Sequence, residues 1–289
     1  MDETVEPKVS ALSRDLAKSA ATLGADEARF LVDAYYTMQE GRIRTGNQIR
    51  ALSESGEPHS VINWLNMQDD IMEKQIKRAL EKYAEANPLG KWAMSICGIG
   101  PVIAAGLLAH IQIGVPPDPN KPGDKGKGMT AGSIWRYAGY DPTSVWEKGQ
   151  KRPWNATLKT LCWKIGESFV KVQNREDDVY GQIYAQRKAE EIKKNDAGLF
   201  AEQAAAKLAK FKIGKNTDAY KWYSSGKLPP AHIHARAKRY AVKLFLAHYH
   251  EMGFRLLLHK EPPVPYPIAI LGHAHRIPAP NDTSGLAAE

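Results

Sequence analysis

Between Asp26 and Glu85 the chain carries two long stretches of helical periodicity, separated only by the polar run Ser53-Glu-Ser-Gly-Glu-Pro58. This feature constrains the fold most, because two long helices joined by a short loop must lie antiparallel, side by side. In the first, Phe30, Ala34, Met38 and Gly41 recur at helical spacing and Ile43 and Ile49 follow; Asp26 reads as the N-cap and Leu52 as the approximate end. In the second, Val61 to Glu85, residues Ile62, Leu65, Asp69 and Met72 fall near one face, and Ile76, Leu80 and Tyr83 continue an apolar stripe. A short helix within residues 10–23 precedes the pair and ends at Gly24; Asn87-Pro-Leu-Gly90 closes it.

Further along, the run from Val115 to Gly128 is rich in Pro, Gly and Lys and has no apolar periodicity, so it reads as a loop. Helices are expected from Thr130 to about Tyr140, from Asn155 to about Asn174, across Asp178 to Lys212 with a break at Asn195-Asp-Ala-Gly198, and from Pro230 to about Leu258. In the last, Ile233, Tyr240, Leu244, Ala247 and Met252 read as the core stripe. The tail beyond residue 260 is extended by its prolines. No β-rich segment of useful length occurs. The expected class is mostly α: an antiparallel helical hairpin over residues 1–90, a helical domain over 91–260, and an extended tail over 261–289.

Charge divides along the same lines. Residues 1–90 hold 11 Lys/Arg against 15 Asp/Glu, a net of −4, and the remainder holds 29 against 17, a net of +12. That asymmetry suggests a structural amino-terminal part and a polyanion-binding remainder, although a solubilising charge would give the same sum. Cys97 and Cys162 are the two cysteines, too few for a disulfide framework and without a Cys-x-x-Cys pair for zinc. The longest apolar run, Val102 to Ile113, is interrupted by Gly106, His110 and Gln112 and is too short to span a bilayer. The acidic start Met1-Asp-Glu-Thr-Val-Glu is unlike a secretory signal, so the expectation is a cytoplasmic protein with no membrane partner.

The run from Trp92 to His110 has the pattern of a helix-hairpin-helix: an apolar helix end, Gly98-Ile99-Gly100, then an apolar helix beginning at Pro101. Gly98 and Gly100 permit a tight turn with unobstructed amides, Ile99 turns inward as an anchor, and Pro101 suits the first turn of a helix whose free N–H groups face an anion. Val102, Ala105, Leu108 and Ala109 are expected to pack on the first helix of the motif. Such a site holds phosphate without reading bases. A glycine-rich turn between core helices would show the same residues. The run is not a dinucleotide fingerprint, since Ile103 stands where a third glycine would be, and there is no Walker lysine.

Trp135, Tyr137, Tyr140, Trp146, Trp154 and Trp163 interleave with Arg136, Lys148, Lys151, Arg152 and Lys159, a combination that suits stacking plus phosphate contact. At least half of these six aromatics are expected to be buried. Candidate phosphate contacts are Gly98, Ile99, Gly100, Lys148, Lys151, Arg152 and Lys159, with Arg236, Lys238 and Arg239 from the last helix. Seven of nine histidines lie between His232 and His275. Pairs two residues apart point about 200° from each other on a helix, so polar-surface or phosphate-contacting histidines are expected in preference to a metal site, and no cofactor is implied. Asp177-Asp178 and Glu190-Glu191 diverge around a helix and are expected to be solvated.

Several of these pieces together resemble the bridge-RNA insertion-sequence transposases, which join a RuvC-like DEDD domain, a coiled-coil segment and a carboxy-terminal domain with a helix-hairpin-helix. Arg42-Ile-Arg-Thr-Gly-Asn-Gln-Ile-Arg-Ala-Leu52 is similar to the family's basic helix, and Ser95 to Ala105 to its hairpin. Tyr137-Ala-Gly-Tyr-Asp-Pro142 resembles its Tyr-Ala-Gly-Leu-x-Pro step, Lys151-Arg152 through Lys159 the basic helix after that step, and His234 to Arg239 its final basic helix. The RuvC-like domain and its carboxylates have no counterpart in the chain. Where the family's nucleophilic serine precedes a glycine, Glu147-Lys148 precede Gly149; Ser144 would substitute only in a shifted loop. The resemblance therefore implies a non-catalytic, largely sequence-independent nucleic-acid-binding protein of a phage or mobile element. DNA is the favoured ligand, structured RNA the other, and a homodimer the expected assembly. The alternative is an active recombinase or nuclease that uses an unrecognised nucleophile or a partner's catalytic domain.

Overall fold

The computed structural model describes residues 11–264 and 276–285. Among these, eleven helices form and no strand does; one isolated antiparallel bridge, Val115 with Lys127, closes the loop after the hairpin motif. The fold is mostly α, as expected. Two compact units are present. One takes in the described residues up to Ser95 together with Ile99–Lys127 and Leu256–His259; the other takes in Ile96–Gly98, Gly128–Arg255 and the described residues from Lys260 onward. The first unit thus reaches beyond residue 90. No described helix is long and apolar enough to cross a membrane.

The first unit contains α1 (Arg14–Ala20), α2 (Ala25–Ser55), α3 (Ser60–Glu85), α4 (Pro88–Met94) and α5 (Pro101–His110). The long hairpin of α2 and α3 forms as expected, with two corrections. The N-cap is Gly24, whose amide donates to Glu27 Oε2 at 2.9 Å; Asp26 lies in the first turn, where its charge suits the helix dipole. The inward stripe of α2 is Ala28, Val32, Tyr35 and Tyr36, and Phe30 is 72% exposed. The two stripes are neighbours on one helix, and the selection is made by α5, whose Val102 and Ala105 pack with Val32 and Leu80. Those two residues therefore bury against α2 and α3, whereas sequence placed them against the first helix of the hairpin motif. On α3, Leu80 is fully buried with Ile76 and Tyr83 against the same cluster, but Leu65 and Met72 are exposed.

Glu73 holds the long hairpin in register: Arg42 Nε donates to its Oε2 at 2.7 Å and Gln39 Nε2 to its Oε1 at 3.2 Å. Burial alone would raise the Glu73 carboxyl, but its bonds from Arg42, Gln39 and Tyr35 hold it below the usual range. Further along, Gly90 lets α4 close onto its neighbours; a Cβ there would stand 2.2 Å from the Ala84 carbonyl oxygen and 2.9 Å from Leu108 Cδ1. Gly90→Ala should therefore lower stability by about 1–3 kcal/mol, read as a fall in the thermal midpoint, because a backbone oxygen cannot swing aside.

The second unit contains α6 (Ala131–Tyr137), α7 (Ala156–Val172), α8 (Val179–Asp196), α9 (Ala201–Lys210), α10 (Asp218–Ser224) and most of α11 (Pro230–Leu258). Side-chain caps set several starts: Thr130 for α6, Asn155 for α7 and Asp178 for α8. Phe169 and Tyr180 stack at the centre and Phe245 meets both edge-on, with ring centroids 4.9 to 5.6 Å apart. On α11, Ile233 and Met252 are buried as expected. Ala237, Ala241, Phe245 and Tyr249 complete the inward face, and Tyr240 is exposed.

The histidines of α11 do not lie on a polar surface. Tyr180 donates its hydroxyl to His248 Nδ1 at 2.7 Å, and His248 Nε2 donates to the Ile277 carbonyl at 2.9 Å. His234 and His232 bond to Tyr184 and Tyr223 through Nδ1, and His250 is buried. His273 and His275 lie outside the described residues. The acidic pairs are split rather than solvated: Asp178 is buried as a cap, and Glu191 is buried between Arg187 at 2.5 Å and Arg236 at 2.6 Å. Residues 276–285 return along α11, tied by Asp282 to the buried Arg255 and by Arg276 to Glu251.

Candidate nucleic-acid interface

Around Gly98-Ile99-Gly100 the chain runs from α4 through a turn into α5, with Pro101 at the first helical position and Gly100 as N-cap. Its two glycines differ in function. Gly98 has φ +88, which a side chain would strain, and a Cβ there would meet Ser168 Oγ at 3.1 Å and Val172 Cγ2 at 3.2 Å. The Ser168 hydroxyl also donates to the Gly98 carbonyl. Gly98 is thus packed against α7, so its side is closed to a phosphate. Gly100 is exposed with nothing within 4 Å of a built Cβ, and as a glycine it starts α5 without a side-chain cap. Ile99 is buried, as its anchoring role requires.

A second, more strongly charged surface is assembled from α6, the 138–155 turn, α7 and α11. It begins at Gly139, where φ is +70 and a Cβ would fall 2.9 Å from both Lys159 Cδ and Trp154 Cγ. Absence of that Cβ lets Lys159 lie over Trp154, with Nζ 3.8 Å from the ring centroid. The turn is pinned by the Asn155 amide donating to the Tyr137 carbonyl at 2.9 Å. Arg152 sits 5.4 Å above Trp146, whose indole N–H donates to the Gln150 carbonyl at 2.7 Å. Trp135 donates its indole N–H to the Lys243 carbonyl at 2.9 Å and carries the Lys243 ammonium 4.3 Å above its ring.

Electrostatics separates the cations of this face into two groups. Arg236 is paired with Glu191 and also donates to Gln203; Lys238 is paired with Glu167. Those two candidates are neutralised within the fold. Lys159, Arg152 and Arg239 have no carboxylate within ion-pair distance among the described residues. Burial first, then Arg152 and Arg239, hold the Lys159 ammonium below its ordinary pKa; burial first, then Arg236, does the same to Arg239. Mutually repelling cations of this kind are relieved by an anion. Lys148 and Lys151 extend the charge along an exposed stretch of the turn.

None of the six aromatics expected here is fully buried: Trp135, Tyr140 and Trp154 are half-buried, and Tyr137, Trp146 and Trp163 are exposed. They are more available for stacking than the expectation that half would be core. Sequence reading missed Lys243 as a member of the face, although it follows Arg239 by four residues on α11 and so shares its side of the helix. It also missed Gly139 as the position on which the Lys159–Trp154 contact depends. Ser144 lies in a turn in which Asp141 is the nearby carboxylate; bonds from Thr143 and Arg136 hold Asp141 below the usual range, which makes it a poor base for a hydroxyl. Among the described residues no group of three His, Cys, Asp or Glu could hold a metal ion. In comparisons with protein-family models, curated proteins and solved structures, nothing matches this chain.

Proposed function

We propose that this protein binds nucleic acid without strong sequence preference and does not itself cleave it. The observation that carries the reading is the cluster of Lys159, Arg152 and Arg239, which have no carboxylate partner among the described residues and are set among tryptophans, two of which, Trp135 and Trp146, are held by indole hydrogen bonds. Such a face contacts phosphates through charge and bases through their faces, and neither contact distinguishes sequences. The exposed Gly100 at the start of α5 offers a separate phosphate contact. In this reading the chain is akin to the carboxy-terminal domain of the transposases it resembles and serves a phage or mobile element. The test is anisotropy with two unrelated labelled oligonucleotides over a salt series. Similar affinities that fall steeply with salt are expected; a tight, salt-independent preference for one sequence would sink the idea.

The same reading has the protein acting as two copies paired through α2 and α3. On α3, positions 61, 65, 72, 75 and 79 share one side of the helix. α1 packs on α3, with the Leu12 amide bonded to Gln75 at 2.8 Å, while Val61, Trp64, Leu65 and Met72 stay exposed. Two such hairpins complete a four-helix bundle. Light scattering should give twice the chain mass for the wild type and the single-chain mass for Trp64→Glu with Leu65→Glu. A wild type of single-chain mass contradicts the pairing.

A further inference from the structure

Trp163 differs from the other tryptophans of the basic face. Trp135 and Trp146 spend their indole N–H groups on backbone carbonyls. Trp154 lies under Lys159 and against Gly139. Trp163 is 56% exposed in the middle of α7, one helical turn beyond Lys159 and therefore on the same side of the helix. The Lys238 ammonium is 5.4 Å from its ring centroid, and that lysine is neutralised by Glu167. Apolar area of this size is normally buried. Lys159 and Arg239 belong to the same face, neither with a carboxylate within ion-pair distance among the described residues, and the Arg239 charge disfavours that of Lys159.

We infer that the ligand of this face is unpaired polynucleotide, with a base stacked on the indole of Trp163 and the flanking phosphates held by Lys159 and Arg239. This rests on the reading of the face as a nucleic-acid interface. A duplex presents phosphates and groove edges but keeps its base faces stacked on one another, so it engages the lysine and arginines and leaves the indole unused. An unpaired strand offers both, and stacking on an aromatic side chain is strong enough to set the preference. Every base has such a face, which fits recognition without sequence preference.

The test uses the full chain and three labelled 20-mers at one salt concentration: oligo-dT, oligo-U and a blunt DNA duplex. The wild type should bind the single strands at least about tenfold more tightly than the duplex. Trp163→Ala should weaken single-strand binding about tenfold and leave duplex binding unchanged, and Trp163→Phe should restore most of the loss. Because the side chain is exposed, both variants should melt as the wild type does. A preference for oligo-dT or for oligo-U over the duplex supports the inference. Equal, salt-sensitive binding of all three polymers overturns the inference and leaves the nucleic-acid reading standing. Binding of none of them overturns both.

Discussion

Replacing Arg152, Lys159 and Arg239 together with glutamine should reduce affinity for an unpaired strand on the order of a hundredfold at about 0.1 M salt. On a single strand each cation that neutralises a phosphate contributes a slope of about 0.7 to the dependence of log affinity on log salt and about fivefold in affinity at that concentration. The triple variant should therefore show a salt slope shallower by about two, measured by anisotropy from about 0.05 to 0.3 M. Among the described residues the three side chains have no carboxylate partner, so removing them leaves no buried charge behind and the fold should stand. Arg236→Gln is the informative contrast. It leaves Glu191, 1% exposed, with Arg187 as its remaining cationic partner and should lower stability more than affinity. Wild-type and triple-variant salt plots running parallel would show that these cations are not the contact.

Acid should unfold the second unit well before the ordinary carboxylates titrate. His232, His248 and His250 are each held down to about 4, chiefly by burial; for His232 the neighbouring Lys207, Arg239 and Arg236 add to this, and for His250 the backbone of Met129 and Gly128 offsets part of it. In the unfolded chain a histidine titrates near 6.5, so between about pH 6.5 and 4 the unfolded state binds protons that the folded state refuses. A depressed folded value means that the stability is complete above the unfolded pKa and is lost as pH falls. Each such histidine contributes about 1.4 kcal/mol per pH unit in that window, and the three together on the order of 4. Urea midpoints followed from pH 7.5 to 4.5 should fall steeply below about 6.5. His248→Gln should flatten the decline. Midpoints that stay level to pH 5 would place these rings in water.

Much of the fold could be read from residues whose effect is local. Thr130, Asn155 and Asp178 cap the helices that follow them, and the limits of α11 follow from Pro230 and the end of its apolar pattern. What sequence left open depends on partners far along the chain. Phe30, Ala34 and Met38 are as periodic as Ala28, Val32 and Tyr35, and only the arrival of α5 decides which set turns inward. α10 has seven residues, none of them buried, and so little apolar pattern to announce it. At the candidate site the residue types were legible and their charge balance was not. Arg236 and Arg239 look alike in sequence, but Glu191, 45 positions away, neutralises the first and leaves the second uncompensated. Gly98 read as a phosphate cradle because glycine permits one; the position is in fact filled by Ser168 and Val172 from α7.

The most direct test of the central claim is ultraviolet cross-linking of the full-length protein to a short bromouracil-containing strand, followed by mapping of the labelled peptides. The account predicts labels on the peptides that carry Trp146, Trp154 and Trp163, with their loss in the Arg152, Lys159 and Arg239 triple variant. Labels confined to α2 and α3, with none between residues 135 and 163 or on α11, would contradict it.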